Sequence, residues 1–326
     1  FSQVSVFSGF NQPKDISMYD DYEALCGITE EELHTLFAEP IRKMADAEGY
    51  SEDEMKKRLK QHYDGDHFSK KMKDIYNPFS ILNAFDAQDI RDYWFTSGTP
   101  SYLIRLMNHY HEGIDQLANN YYSLDAFINY KADVEYPLPM IYQSGYLTIK
   151  DYDKDMNLFL LDFPNDEVKK GFLAMIAANY LQCNVQLESW MPKAVFALKR
   201  GMPEEFRKML TSFLASIPYT MRRKENERER ERYFQYTFYL LLRLMSVYTV
   251  LAEREQSEGR VDCIVETPKY VYLFEFKLDG SAAEALKQIE DKGYARPYEA
   301  DTRKLYKVGV SFSSTTGTIE DWEIRE

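Results

Sequence analysis

Cysteine, histidine and tryptophan are scarce in this chain: three, five and three among 326 residues. The three cysteines, Cys26, Cys183 and Cys263, are too few and too scattered for a disulfide framework, which points to a reducing, cytoplasmic setting. The histidines support no Ser-His-Asp arrangement. His109 and His111 stand two apart on an expected helix, where their side chains face different ways and share no metal. No apolar run is long enough to span a membrane, since the longest, residues 233–245, is broken by Arg243. A signal peptide is also not expected. The phosphate-binding pattern G-x-x-x-x-G-K-[ST] does not occur in these residues, and no nucleotide ligand is therefore assigned to them.

An excess of basic charge is lacking too. The net charge of −13 excludes a generally basic nucleic-acid binder. The deficit is uneven: residues 216–326 hold 18 Lys and Arg against 20 Asp and Glu, so most of it lies in residues 1–215. Contact with nucleic acid near the C-terminus is allowed by this balance but not demonstrated by it.

What is present is a core and a pattern. Apolar residues make up 44% of the chain and aromatics 15%, enough to bury the cores of two or three domains. Thr29-x-x-Glu32 and Ser51-x-x-Glu54 are capping boxes that open helices, and Asp64-Gly65 closes the second. Asn77-Pro78 and Thr99-Pro100 read as further helix starts. The segment PLPMIYQSGYLTIKDYDKDMNLFLLDFPNDEV, residues 137–168, reads as helix, strand, turn, strand and then a helix opening near Asn165. That order looks like a winged-helix module with its wing tip at 150–156. Asp151, Asp153 and Asp155 make this wing repellent to phosphate, so packing between domains is favoured over DNA binding. Together with Asp162 these aspartates fall at EF-hand-like spacings. Met156 stands where such a loop needs Gly, however, and strands flank it where helices are required, so a calcium site is not expected.

The most informative stretch is GRVDCIVETPKYVYLFEFK, residues 259–277. A turn around Thr267, Pro268 and Lys269 separates two strand-like runs. Folded as a hairpin, they bring Asp262 level with Glu275. Residues two apart on a strand share a face, so Glu275 and Lys277 project together. Two carboxylates and an ammonium then converge, an arrangement suited to a hard divalent cation beside a phosphodiester. An exposed Asp with a Glu-x-Lys is ordinarily only a solvated face. Here Glu275 and Lys277 interrupt VYLFEFKL, an apolar run that reads as a strand buried on both faces, where charges are costly unless paired or metal-bound.

With SAAEALKQIEDKGYARPY following as a helix and KLYKVGVSFSS as another strand, the region resembles the PD-(D/E)XK nuclease superfamily. It resembles in particular the nuclease domain at the C-terminus of a large bacterial family of AAA-ATPase-like proteins. The resemblance implies Asp262 and Glu275 as acids that bind Mg²⁺ or Mn²⁺, with the backbone carbonyl of Phe276 completing the protein ligands. It implies Lys277 as the catalytic lysine, and Gln288, Ile289, Lys292 and Tyr294 as the matching helix positions, with Gln288 and Lys292 as substrate-side support. An additional Glu on the helix before the core strands is matched best by Glu231, with Glu227 second, within the run MRRKENERERER; otherwise that run is a solvated helix start. A strand at YTVLAERE is expected to follow it.

The phrases FSGFNQPKDIS, YDGDHFS, YNPFSILNAF and YWFTSGTPSYLI resemble the same family after its nucleotide-binding strands. Ser8 and Asn11, near the first strand, are placed where nucleotide contacts are possible in a complete protein. A start without Met, on the strand-like FSQVSVFSGF, reads as the middle of a domain, so the chain is expected to be a fragment. ATP is expected only in a full-length protein that retains the upstream half.

The expected architecture is α/β (α+β). Residues 1–99 are the end of an AAA-ATPase-like module, 100–215 a helical and winged-helix-like connector, and 216–326 a nuclease-like mixed sheet flanked by helices, of restriction-endonuclease type. The expected partner is nucleic acid, DNA ahead of RNA, with no membrane and with oligomeric state left open. The rival expectation is a non-catalytic, nucleic-acid-binding or regulatory protein with an ATPase-like module.

Overall fold

The computed structural model describes residues 16–96, 106, 117–128, 136–181, 184–217, 233, 236–238, 240–241, 243–245 and 261–326. The chain divides into two compact units, residues 1–172 and 173–326.

The first unit begins with helices whose ends are set by their own side chains. Thr29 caps helix Glu30–Leu36 with the full reciprocal box to Glu32. Ser51 accepts from the Glu54 N–H at the start of Glu52–Tyr63, and Asp64 ends that helix. Asn77 accepts from the N–H groups of Phe79 and Ser80, with Pro78 in the first turn of Pro78–Ala87. Each cap satisfies donors that the helix itself leaves unpaired. These helices and Ala38–Glu48 bury Leu33, Ile41, Met44, Leu59, Tyr63, Ile81 and Phe85 around Tyr76. Two short strands, β1 (Ile28–Thr29) and β2 (Ile75–Tyr76), pair antiparallel beside them.

Strands β3 (Asn120–Ser123), β4 (Thr148–Asp153) and β5 (Leu158–Asp162) form a separate antiparallel sheet in the order β3-β5-β4. Helix Leu138–Gln143 precedes β4 and helix Asp166–Leu181 follows β5. The sequence therefore placed the helix, hairpin and following helix correctly. Asp153 closes the β4–β5 turn by accepting from the N–H groups of Asp155 and Met156. Its carboxylate thus serves the turn.

The second unit contains helices Asn184–Lys199 and Pro203–Ser216 and a four-stranded sheet of β6 (Cys263–Glu266), β7 (Tyr270–Leu278), β8 (Lys304–Phe312) and β9 (Ile319–Arg325), in that order. β6 and β9 run antiparallel to their neighbours, whereas β7 and β8 are parallel. A parallel pair needs a crossover, and helix Ala282–Asp291 supplies it, started by a capping box between Ser281 and Glu284. The fold is thus mixed α/β, with a restriction-endonuclease-like C-terminal sheet.

β7 is buried along most of its length and its two faces differ in chemistry. Tyr272, Phe274 and Phe276 lie on one face, against Tyr306, Phe206, Phe238, Phe312 and Trp322. Val271 and Leu273 on the other pack with Leu286 and Ile289 of the crossover helix and with Tyr294. This second face is the one that continues into Glu275 and Lys277. Strand β9, which the sequence reading did not anticipate, completes the sheet. The expected strand at YTVLAERE, the helix start at Thr99-Pro100, Ser8, Asn11, His109 and His111 lie outside the described residues. Among the described residues, no helix is long and apolar enough to cross a membrane.

Candidate active site

The β6–β7 register places the acidic pair. Cys263 faces Phe274, and one further step of the same antiparallel register sets Asp262 opposite Glu275. The Asp262 carboxylate Oδ2 accepts from the backbone N–H of Phe276 at 2.8 Å, which ties the residue before β6 to the end of β7. Asp262 is exposed, whereas Glu275 is 1% exposed.

The crossover helix closes over this end of the sheet because β8 carries glycine opposite Glu275. A Cβ at Gly309 would lie 2.1 Å from the carbonyl oxygen of Ala282 and 3.0 Å from Leu286 Cγ. Only glycine permits that approach. The start of the helix is further tied down by Asp321 of β9, which accepts from the Ala282 N–H at 2.8 Å. Ser311, opposite Lys277, donates to the Gly280 carbonyl.

This packing lowers Gln288 onto the charged end of β7. Lys277 Nζ donates to Gln288 Oε1 at 2.6 Å, and Gln288 Nε2 donates to Glu275 Oε1. Lys277 Nζ stays 3.8 Å from Glu275 Oε1. Tyr294, 2% exposed, hydrogen-bonds Gln288 from behind. Burial, reinforced by the Asp262 charge and opposed by Lys277, pushes the Glu275 carboxyl up to about 7. Glu275 Oε2 is buried without a hydrogen-bond partner.

The structure therefore brings Asp262, Glu275, Phe276, Lys277 and Gln288 together. Lys292 is exposed just past the helix end, one turn beyond Gln288. Glu231 and Glu227 lie outside the described residues. Gly309 and Asp321, which position the helix, were not anticipated; a glycine in the middle of the apolar strand KVGVSF is the signal that could have found the first.

An orphaned buried carboxylate oxygen beside a second, accessible carboxylate is a donor set that suits a hard divalent cation. Among the described residues no group of three or more His, Cys, Asp or Glu is arranged to hold a metal ion. A cation here would thus rest on two carboxylates, with backbone and water oxygens making up the remainder. Mg²⁺ habitually keeps several waters, so this is no obstacle.

Residues 229–322, which include the parallel central pair and the crossover helix of this mixed sheet, match the PD-(D/E)XK nuclease superfamily. The C-terminal region is a domain of that superfamily. Across 98% of its length the chain is also 31% identical to the "Uncharacterized protein in vnfD 5'region" of Azotobacter chroococcum mcd 1, and it spans 60% of that protein. No solved structure matches the chain.

Proposed function

We propose that the C-terminal domain hydrolyses phosphodiester bonds of nucleic acid in a reaction that depends on Mg²⁺ or Mn²⁺. The observation that carries this reading is Glu275: a buried carboxylate, raised in pKa, with one oxygen unpartnered, placed opposite Asp262 and two residues from Lys277. Strongly perturbed, incompletely satisfied carboxylates cluster at functional sites. Asp262 and Glu275, with the Phe276 carbonyl, would hold the cation, which when bound polarises a phosphate and lowers the pKa of a water. The role of Lys277 is to orient the attacking water or to stabilise charge on the phosphate oxygens through its Nζ. Lys292, exposed at the rim, suits a phosphate contact, and Glu231 is the further acid of the set.

Several finer readings belong to the same proposal. DNA is the favoured substrate over RNA. The β3-β5-β4 sheet with its flanking helices serves as a winged-helix-like packing module. The three-part division at 99/100 and 215/216 and the AAA-ATPase-like character of the first hundred residues rest on the resemblance of their sequence phrases. ATP enters only through a longer protein, and the setting is cytoplasmic.

The test is incubation of the protein with labelled DNA and RNA panels in Mn²⁺ or in EDTA. Cleavage in Mn²⁺ that EDTA abolishes is expected. Metal-stimulated cleavage of none of the substrates would remove the reading and leave a nucleic-acid-binding or regulatory protein.

A further inference from the structure

Gln288 stands between the two charged side chains of β7, with its amide nitrogen toward Glu275 and its amide oxygen toward Lys277. That polarity is enforced: an ammonium only donates and a carboxylate only accepts. The consequence is a gap. Lys277 Nζ lies 3.8 Å from Glu275 Oε1, about 1 Å longer than a direct charge-assisted bond. Nothing within β7 maintains that gap. The two residues share a face, the lysine stem is flexible, and attraction at a largely desolvated position favours closure. The gap is held from outside, by a helix whose approach is fixed by Gly309, Asp321 and the Ser281 cap.

We infer that Gln288 is a positioning residue, a spacer that prevents Lys277 from closing onto Glu275 in a direct ion pair. A closed pair would neutralise the carboxylate that a cation requires and would withdraw the ammonium from the substrate. Both groups must therefore be close and yet not joined. The inference rests on the metal-site reading above and specifies how that site is kept open.

The test uses Mn²⁺ binding by calorimetry at pH 8 on wild type, Gln288→Ala, Lys277→Met, the double variant and Glu275→Ala, with thermal midpoints recorded alongside. Alanine is a good helix former, and Gln288→Ser serves as a second truncation should Gln288→Ala fold poorly. Truncating Gln288 should weaken Mn²⁺ binding about tenfold or more, the scale of a lost hydrogen bond to a charged group. Adding Lys277→Met should restore binding to within about threefold of Lys277→Met alone, because no lysine remains to close; a merely structural role for Gln288 would show no such rescue. The inference is overturned if Gln288→Ala binds Mn²⁺ as wild type does, or if the double variant binds no better than Gln288→Ala. Wild-type binding that Glu275→Ala loses and Gln288→Ala keeps overturns the spacer alone. Wild-type binding no tighter than that of Glu275→Ala overturns the metal site and the spacer with it.

Discussion

The two ends of the C-terminal sheet handle buried acid in opposite ways. At the end where β6 turns into β7, Glu266 is buried but receives Arg303 at 2.8 Å and the Tyr298 hydroxyl at 3.1 Å. The same Arg303 bonds Asp301 and holds its carboxyl down at about 2. Glu266, Asp301 and Arg303 thus each have a partner of opposite sign. At the other end, Glu275 shares one oxygen with an uncharged amide, keeps its cation 3.8 Å away and leaves its second oxygen without a partner. Its carboxyl is pushed up to about 7. Burial is common to both ends; satisfaction is not. A satisfied buried ion pair holds structure together, whereas an unsatisfied one is maintained at a cost that a ligand can relieve.

The largest expected effect separates the two ends by function. Glu275→Ala should abolish metal-dependent cleavage and weaken Mn²⁺ binding, because it removes a ligand. Lys277→Ala should reduce the cleavage rate by on the order of a hundredfold to a thousandfold, as loss of a preorganised charge does. It should leave Mn²⁺ affinity unchanged or slightly raised, since it removes positive charge and no ligand. Rates and affinities for both variants check this pair. If lost activity merely follows a lowered thermal midpoint, Glu275 and Lys277 are structural like their counterparts at the far end.

Arg303→Ala should do the reverse. Leaving the buried Glu266 without its cation should lower stability by about 2 kcal/mol, read by denaturant unfolding, with Mn²⁺ affinity unmoved. A loss of metal binding in this variant would erase the distinction between the ends.

Acidity sharpens the same contrast. Glu275 is raised from the usual 4.5 to about 7, so between those values the folded protein holds a proton that the unfolded chain releases. Its contribution to stability is present below about 4.5 and is lost as pH rises toward 7. Asp301 has the opposite sign: held down at about 2, it contributes above its ordinary range and loses that contribution as pH falls toward 2. A cation must displace the Glu275 proton, so apparent Mn²⁺ affinity should fall about tenfold from pH 8 to pH 6. A flat profile over that range would detach Glu275 from the metal.

Much of this site was legible in the sequence because its logic is local. The turn at Thr267–Lys269 fixes a hairpin register, and that register sets Asp262 opposite Glu275 without knowledge of the rest of the fold. The two-residue period of a strand does the same for Glu275 and Lys277. The capping patterns at Thr29, Ser51 and Asn77 are local too, and the structure forms them. What escaped the reading depends on distant packing. Strand β9 has Ile319, Trp322 and Ile324 as its apolar positions, a spacing that breaks strict alternation, with a register shift at Phe312 and Ile319. The need for glycine at 309 arises only once a helix from another segment lies across it. Gln288 was placed by resemblance as substrate-side support. Its bridge between Glu275 and Lys277 follows from the depth to which that helix descends.

The central claim is that Glu275 is kept unsatisfied for a cation while Glu266 is not. Calorimetric titration of Mn²⁺ at pH 8 into wild type, Glu275→Gln and Arg303→Ala tests it most directly. The account predicts saturable binding by wild type, binding of equal affinity by the less stable Arg303→Ala, and no measurable binding by a folded Glu275→Gln. Equal Mn²⁺ binding by all three proteins, or binding lost in Arg303→Ala and retained in Glu275→Gln, would contradict it.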